Sequence, residues 1–448
     1  MSAVLLDLDP VSARLDRATP LRLTGRVTRI GGVLVEGVVP GVHLGMVCRL
    51  GVGSGAVPAE VVAVRERTAC LMPLGSVTGL AAGAPIVATP VEPRMHVSDA
   101  LMGRVVDAFG EPIDGKGPLR HASGAGAAML LDPPPLNPLT RGSVSRPLSV
   151  GVRALDGLLT CGEGQRLAIL AGAGVGKSTL LGMMCRNTEA DVTVIGLVGE
   201  RSREVKRFVD HDLGPQGLSR AVLVSATSDM APALRVRAAK VATAIAEWFR
   251  DQGLRVLLLL DSLSRVAMAQ RELGLAVGEP PATKGYPPSA FAIIPRLLER
   301  AGPGVGKGSI TALYTTLLEG DDLGDPVGDC VKSTTDGHIH LSRALADRGH
   351  FPAIDVLGSV SRVMPEVVDG CHVADAAVIR RLLADHRDVE ELVSLGAYQR
   401  GASPRFDRAL DAKADIDTLL VQSVDQPATF DESRRHAGEI AARHGGNR

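Results

Sequence analysis

Over residues 21–93 apolar and polar positions alternate at short range. Leu23 to Ile30 reads Leu-Thr-Gly-Arg-Val-Thr-Arg-Ile, and Val33 to Val39, Ala59 to Val64, Ala69 to Pro73 and Ile86 to Ala88 are further strand-length runs. Glycines fall between several of them. Short period-two runs cut by turn residues predict a small barrel or sandwich. Before it, Met1 to Pro20 reads as a tail, in which Val4, Leu5, Leu6 and Leu15 suit either one short amphipathic helix or a frayed terminus. Residues 103–119, GRVVDAFGEPIDGKGPL, are dense in glycine, proline and an Asp-Gly pair and predict turns. Leu131 to Pro138 is a proline-rich connector.

Beyond Ser149 the pattern changes. Arg166 to Leu170, Val192 to Val198, Ala221 to Ser225, Val256 to Leu260 and Ser309 to Leu317 are largely apolar without alternation. Helical stretches such as Ser178 to Asn187 and Ala233 to Asp251 lie among them. Such strands alternating with helices predict a parallel sheet covered on both faces. Past Asp375 only helical periodicity remains, in Val378 to Leu395 and Ile416 to Ser423. The expected organisation is a tail (1–20), a β-barrel domain (21–93), an α/β core (94–375) and a C-terminal helical domain (376–448).

Composition narrows the function classes. The chain has 448 residues, 45% of them hydrophobic, enough for a sizeable core. The 49 basic and 50 acidic residues leave a net charge of −1. A general nucleic-acid binder carries a basic excess and aromatic stacking platforms, and this chain has 2% aromatics. Cysteines 48, 70, 161, 185, 330 and 371 form no CxxC pair and read as reduced core thiols. Cys371-His372 is a poor metal signal on its own. No run approaches the roughly 20 apolar residues that span a bilayer. Met1 to Pro10 carries Asp7 and Asp9 and no basic residue, unlike a signal peptide. The expectation is a cytoplasmic protein, peripheral to the inner membrane through partners.

One segment carries specific chemistry. Ala171-Gly172-Ala173-Gly174-Val175-Gly176-Lys177-Ser178-Thr179 lies between an apolar strand and a helix, the P-loop context. Glycines let backbone N–H groups turn in around a phosphate, and the helix N-terminus adds positive charge. Lys177 is expected at the β- and γ-phosphates of ATP and Ser178 on Mg²⁺. Alanine at the first position is a small replacement for the usual glycine. Gly302-Pro303-Gly304-Val305-Gly306-Lys307-Gly308 imitates the loop but lacks the following Ser or Thr, and a strand follows; it reads as a flexible turn. Val256 to Leu260 ends in Asp261, an apolar strand with a carboxylate placed to hold Mg²⁺. Glu200, after the strand Val192 to Val198, is a candidate for polarising the attacking water; a solvated, salt-bridged glutamate is the alternative.

With these residues the chain resembles the ATPases of type III protein export, homohexameric relatives of the rotary ATP synthase catalytic subunits. GRVVDAFGEPIDGKGPL, AGAGVGKST, GERSRE and PAIDVLGSVS are shared with the rotary ATPases at large. AQRELGL (269–275), GEPP (278–281), KGYPP (284–288), PRLLERAG (295–302) and GSITALYTTLLEGDDLGDP (308–326) are similar to the export group. Within it, Thr283 to Tyr286 and the Gly302–Gly308 turn look more like flagellar than injectisome members.

The resemblance implies an α/β, RecA-like P-loop ATPase core with an N-terminal β-barrel domain and a C-terminal helical domain. It implies Glu200 as general base, Arg201 and Arg265 on the phosphate side, Arg362 as an arginine finger reaching a neighbouring subunit, and Phe351 against adenine. Core packing is the alternative for Phe351. Ser264 and Val266 replace the family's threonine and phenylalanine, and Lys332 to Thr335 is more polar than usual. The implied activity is ATP hydrolysis energising export of flagellar proteins by a ring of six copies, with sites shared between copies. Implied partners are export substrates, chaperones and a regulator or stalk protein. The rival readings are an injectisome ATPase, a rotary synthase catalytic subunit, a non-hydrolysing ring subunit and, more distantly, an RNA translocase.

Overall fold

In the N-terminal unit the alternating runs close on themselves. A computed structural model describes residues 23–89, 94–119, 126–322 and 324–445; the expected tail lies outside them. Strands β1 (Thr24–Gly31), β2 (Leu34–Val38), β3 (Val47–Leu50), β4 (Val57–Arg65), β5 (Thr68–Pro73) and β6 (Pro85–Ala88) form a closed barrel in the order β1-β2-β5-β4-β3-β6. Val27, Val35, Cys48, Leu50, Val61, Leu71 and Ile86 fill it. Closure removes the free edges that isolated strands would expose. Five of these strands lie on the runs predicted above; β3 does not, because its four residues leave too short an alternation between Gly45 and Gly51.

Residues 94–448 form the second compact unit. A short hairpin pairs β7 (Arg94–Val97) with β9 (Ala127–Leu130). The central sheet contains β8 (Val105–Val106), β10 (Arg166–Ala171), β11 (Val192–Val198), β12 (Ala221–Ala226), β13 (Arg255–Asp261), β14 (Gly302–Pro303), β15 (Ser309–Leu317), β16 (Gly337–Leu341) and β17 (Ile354–Ser361). Its order is β17-β16-β10-β15-β13-β11-β12-β8, with β14 paired to β15. From β16 to β8 neighbours along that order are parallel; β17 runs antiparallel to β16.

Side-chain alternation splits the sheet's apolar residues between two cores. Val194, Val198, Leu258, Leu260 and Ala168 face the helix Pro232–Asp251. Ile195, Leu197, Leu257, Leu259 and Ile169 share a core with the helix Lys177–Asn187 and with Ile379, Leu382, Ile416, Leu419 and Ile440 of the C-terminal helices. Those helices span Gly370–Ser394, Pro404–Leu420 and Phe430–His444. Residue 375, where the sequence reading ends the core, therefore falls inside a helix whose apolar face belongs to that core. Residues 421–423, read as helical, lie outside the helix. His372 is buried, with Nε2 2.8 Å from the Gly157 carbonyl, and Cys371 is exposed.

Two motifs prove to be clamps. Arg104 donates through Nε to Asp114 at 2.7 Å and through Nη2 to the Gly117 carbonyl at 2.6 Å, closing the glycine-rich turn. In the Pro295–Gly302 motif, Arg300 forms a two-pronged pair with Glu247 at 2.6 and 3.0 Å, and Glu299 meets Arg166 at 2.7 Å. The start of the Gly302–Gly308 segment, read as a flexible turn, is held: Gly302 and Pro303 pair with Ile310 and Ser309, and Arg141 donates to the Pro303 carbonyl and to those of Glu299 and Ala301 just before it. No helix of the described residues is long and apolar enough to cross a membrane.

Candidate active site

In a parallel sheet the strand C-termini gather at one edge, where ligands bind beside a switch in strand order. Three segments meet there. The registers set Ala171 beside Leu317 and Asp261 beside Leu197. β10 gives way to the loop Gly172–Gly176, β11 to Gly199-Glu200 and β13 to Asp261 itself.

The loop is built for an anion. Gly174 (φ +80°) and Gly176 (φ +87°) occupy the left-handed region that glycine adopts freely. Gly176 caps the helix Lys177–Asn187, whose first-turn N–H groups have no intrahelical acceptor. Val175 is buried; Ala173, Gly174 and Ser178 are exposed. Ser178 and Thr179 stand on the first turn of that helix.

Lys177 reaches across the site. Its ammonium donates to Asp261 Oδ1 and lies 3.8 Å from Glu200 Oε1. All three side chains are largely buried, 13%, 4% and 17% exposed respectively. Thr315 Oγ1, from β15, donates to Asp261 Oδ1 at 2.7 Å and aims the carboxylate. Burial and the negative charge of Asp261 push the Glu200 carboxyl up to about 7, while Lys177 pulls it down. A hydrogen bond from the Glu200 carboxyl holds Glu204 below its ordinary range. Glu200 is thus poised to take up or release a proton near neutrality, as a general base requires.

The other candidates occupy distinct places. The stem of Arg265 lies 2.8 Å from where a side chain at Gly199 would begin, so Arg265 stands beside the Glu200 turn; its Nε is buried without a hydrogen-bond partner. Phe351 is 43% exposed, and its ring lies 3.3 Å from where a Cβ on Gly176 would sit. It flanks the loop and is not core. Arg201 turns outward, 80% exposed, 4.0 Å from Glu204, and does not join the Lys177 cluster.

Arg362 lies at the opposite edge of the sheet. It follows β17, whose last residue Ser361 pairs with Gly337 at the start of β16. Its Nη1 donates to the Thr335 carbonyl at 3.2 Å. The length of β10 separates it from its own P-loop, about 20 Å at the usual rise per residue. Its guanidinium cannot serve the nucleotide loop of its own chain.

The site's oxygen donors, Asp261, Glu200 and Ser178, are of the hard type that suits Mg²⁺. Among the described residues no group of three or more His, Cys, Asp or Glu could cage a metal. Mg²⁺ characteristically binds through one or two carboxylates plus substrate phosphates, and the donor set fits that mode.

Residues 151–361 match the family described as "ATP synthase alpha/beta family, nucleotide-binding domain", and residues 368–436 match "T3SS EscN ATPase C-terminal domain". The "Flagellum-specific ATP synthase" of Treponema pallidum is 48% identical over 425 residues, covering 94% of this chain and 93% of the relative. The chain belongs to the type III export branch of the ATP synthase alpha/beta family. A "Type 3 secretion system ATPase" of Sinorhizobium fredii is 47% identical over 411 residues, covering 91% of this chain and 90% of the relative. Among solved structures, the assembled ATPase EscN in complex with its central stalk EscO, from the enteropathogenic E. coli type III secretion system, superposes with a TM-score of 0.85 at 42% identity. It covers 93% of this chain and 99% of that one.

Membership makes the chain an ATPase, and the P-loop lies within the matched nucleotide-binding domain. Sequence reasoning gave no role to Thr315, Glu204, Asp321 or Arg343, which all touch the site. Three threonines inside the largely apolar strand β15, Thr311, Thr315 and Thr316, were the available signal for Thr315. Ser264, a departure from the family pattern, keeps a structural contact: its hydroxyl accepts from Leu317 N, at the last residue of β15, at 2.8 Å.

Proposed function

We propose that this ATPase hydrolyses Mg-ATP at sites shared between neighbouring copies and thereby energises type III export of flagellar proteins. The observation that carries the hydrolytic reading is the Lys177–Asp261–Glu200 cluster at the ends of three parallel strands around one P-loop. A non-hydrolysing subunit would not need a buried, proton-poised Glu200.

In this reading the loop N–H groups and Lys177 hold the β- and γ-phosphates, and Lys177 leaves the carboxylates to do so. Glu200 orients a water toward the γ-phosphorus and takes its proton. Ser178 and Asp261 hold Mg²⁺, which supplies charge neutralisation on the phosphates. Arg265 stabilises the phosphate side and Phe351 packs on adenine. Arg201, now paired toward Glu204, swings in when the site closes. Arg362 completes the next copy's site as an arginine finger, a contribution of about 10³–10⁵ in rate where such fingers are known.

A finger that cannot reach its own loop supports a closed ring, and the resemblance supports six copies. The likeness to EscN assembled on its stalk EscO supports a stalk-like partner for this chain. We assign ring assembly to the barrel (21–93), catalysis to 94–375, and docking of chaperones, export substrates or a regulator to the tail and the helices of 376–448. The place of action is the cytoplasmic face of the export apparatus, reached through partners. Phosphate release from Mg-ATP by concentrated protein tests the enzyme reading, and its absence overturns it. Restoration of swimming in a flagellar-ATPase deletion strain tests the flagellar assignment; restoration of effector secretion alone favours the injectisome reading.

A further inference from the structure

The P-loop has a further support, separate from the Lys177 cluster. β15 ends beside it, where Leu318 N donates to the Ala171 carbonyl at 2.9 Å. The chain then turns through Gly320 and Asp321, with φ +62° and +59°. A non-glycine residue in the left-handed region costs free energy and persists where surrounding contacts demand it. Here the contact is Arg343, the first residue of the short helix Arg343–Asp347. Its Nε donates to Asp321 Oδ2 at 2.6 Å and its Nη2 to Oδ1 at 3.3 Å. The same Nη2 donates to the carbonyl of Ala173, inside the P-loop, at 2.9 Å.

The fit between pair and loop is close. A Cβ on Gly172 would lie 1.7 Å from Asp321 Oδ1 and 2.9 Å from Arg343 Nη2. Gly172 is therefore small because this ion pair rests on it. The far end of the Asp321 turn is tied down as well, by Asp322 with Lys284 at 3.0 Å.

We infer that Arg343, oriented by Asp321, is a positioning residue for the nucleotide loop, holding the Ala173 carbonyl outward so that the loop's N–H groups face the phosphates. A P-loop binds anions only when its N–H groups converge, which requires its carbonyls to point away. A backbone carbonyl free to rotate inward would set a negative dipole against the γ-phosphate. Arg343 removes that option with a charged donor, and the Asp321 fork fixes the guanidinium plane. An exposed ion pair alone contributes little to stability; its effect here is on the loop's geometry.

This inference rests on the loop being the ATP site, so Lys177→Ala is the control that separates the two. ATPase kinetics, binding of a fluorescent ATP analogue and thermal melting would be measured on the full chain. Arg343→Ala is expected to raise KM for ATP about tenfold, the loss of one charge-assisted hydrogen bond, with kcat less affected and the melting temperature held within a few degrees. Asp321→Asn should shift KM in the same direction, and the double variant should be no worse than Arg343→Ala, since the two act as one unit. Arg343→Lys, keeping a donor without the fork, should fall between. If Lys177→Ala is inactive while Arg343→Ala binds and turns over ATP like the parent, the inference fails. Additive effects of the two substitutions also overturn it. Should Arg343→Ala not fold, Asp321→Asn and Arg343→Lys decide the question by the same shift in KM.

Discussion

The ammonium of Lys177 stands between Asp261 and Glu200, so a bound phosphate must compete with two carboxylates for it. Releasing Lys177 leaves those carboxylates to face a cation and a water, a division of labour that suits phosphoryl transfer. Glu200 carries the clearest pH signature. Its carboxyl is pushed up to about 7 by burial and by Asp261, and only the ionised form accepts a proton. The base-competent fraction therefore rises with pH, and kcat/KM should climb from pH 6 to 8 and level off above. Glu200→Gln should lower kcat by about 10²–10⁴, the usual worth of a positioned base, and abolish that acidic limb while still binding ATP. A Glu200→Gln enzyme that keeps both its rate and its acid limb would remove Glu200 from the chemistry. Thr315→Val tests the aim of Asp261: a drop in Mg²⁺ affinity with little change in melting temperature is expected, read from the Mg²⁺ dependence of turnover.

Among the elements, the strands that deliver the site were the most legible. β10, β11 and β13 are buried on both faces, so their continuous apolar runs announce a parallel sheet, and the glycine loop, Gly199-Glu200 and Asp261 at their ends announce its functional edge. β16 and β17 do not fit the continuous apolar run that marks the other strands of the sheet: His338 and His340 interrupt one, and Asp355, Gly358 and Ser359 interrupt the other. β8 is two residues long and has no pattern to read. Arg343 and Asp321 escaped for another reason, since a half-exposed ion pair looks like any surface charge until the fold brings it onto Gly172. The glycine-rich turn after Gly103 was legible as a turn, but not as an ion-pair clamp. Arg104 holds the Asp114 carboxyl well below the usual carboxylate range, and both side chains are largely buried. Asp114→Ala leaves Arg104 without its counter-charge and should cost about 3 kcal/mol at pH 7 by denaturant titration. The sign follows from linkage: a lowered native pKa stabilises above the unfolded value, about 3.9, and that stabilisation fades as pH falls toward the native one. The gap between parent and variant should therefore shrink below pH 4, and a gap that widens would contradict the clamp.

At the scale of the whole molecule, the antiparallel turn of β17 is the decisive geometric fact. It carries Arg362 to the sheet edge opposite the P-loop, where the chain's own nucleotide is out of reach. Neither the P-loop nor the carboxylates speak to that; the direction of one edge strand does. The central claim is that each working site draws Lys177, Glu200 and Asp261 from one copy and Arg362 from the next. Its most direct test mixes two variants that are inactive alone, Glu200→Gln and Arg362→Ala, and measures ATP hydrolysis. Random mixing of equal amounts leaves about a quarter of shared sites with both groups intact, so activity should reappear and scale with the product of the two fractions. Mixed assemblies that form but release no phosphate at any ratio would contradict shared sites.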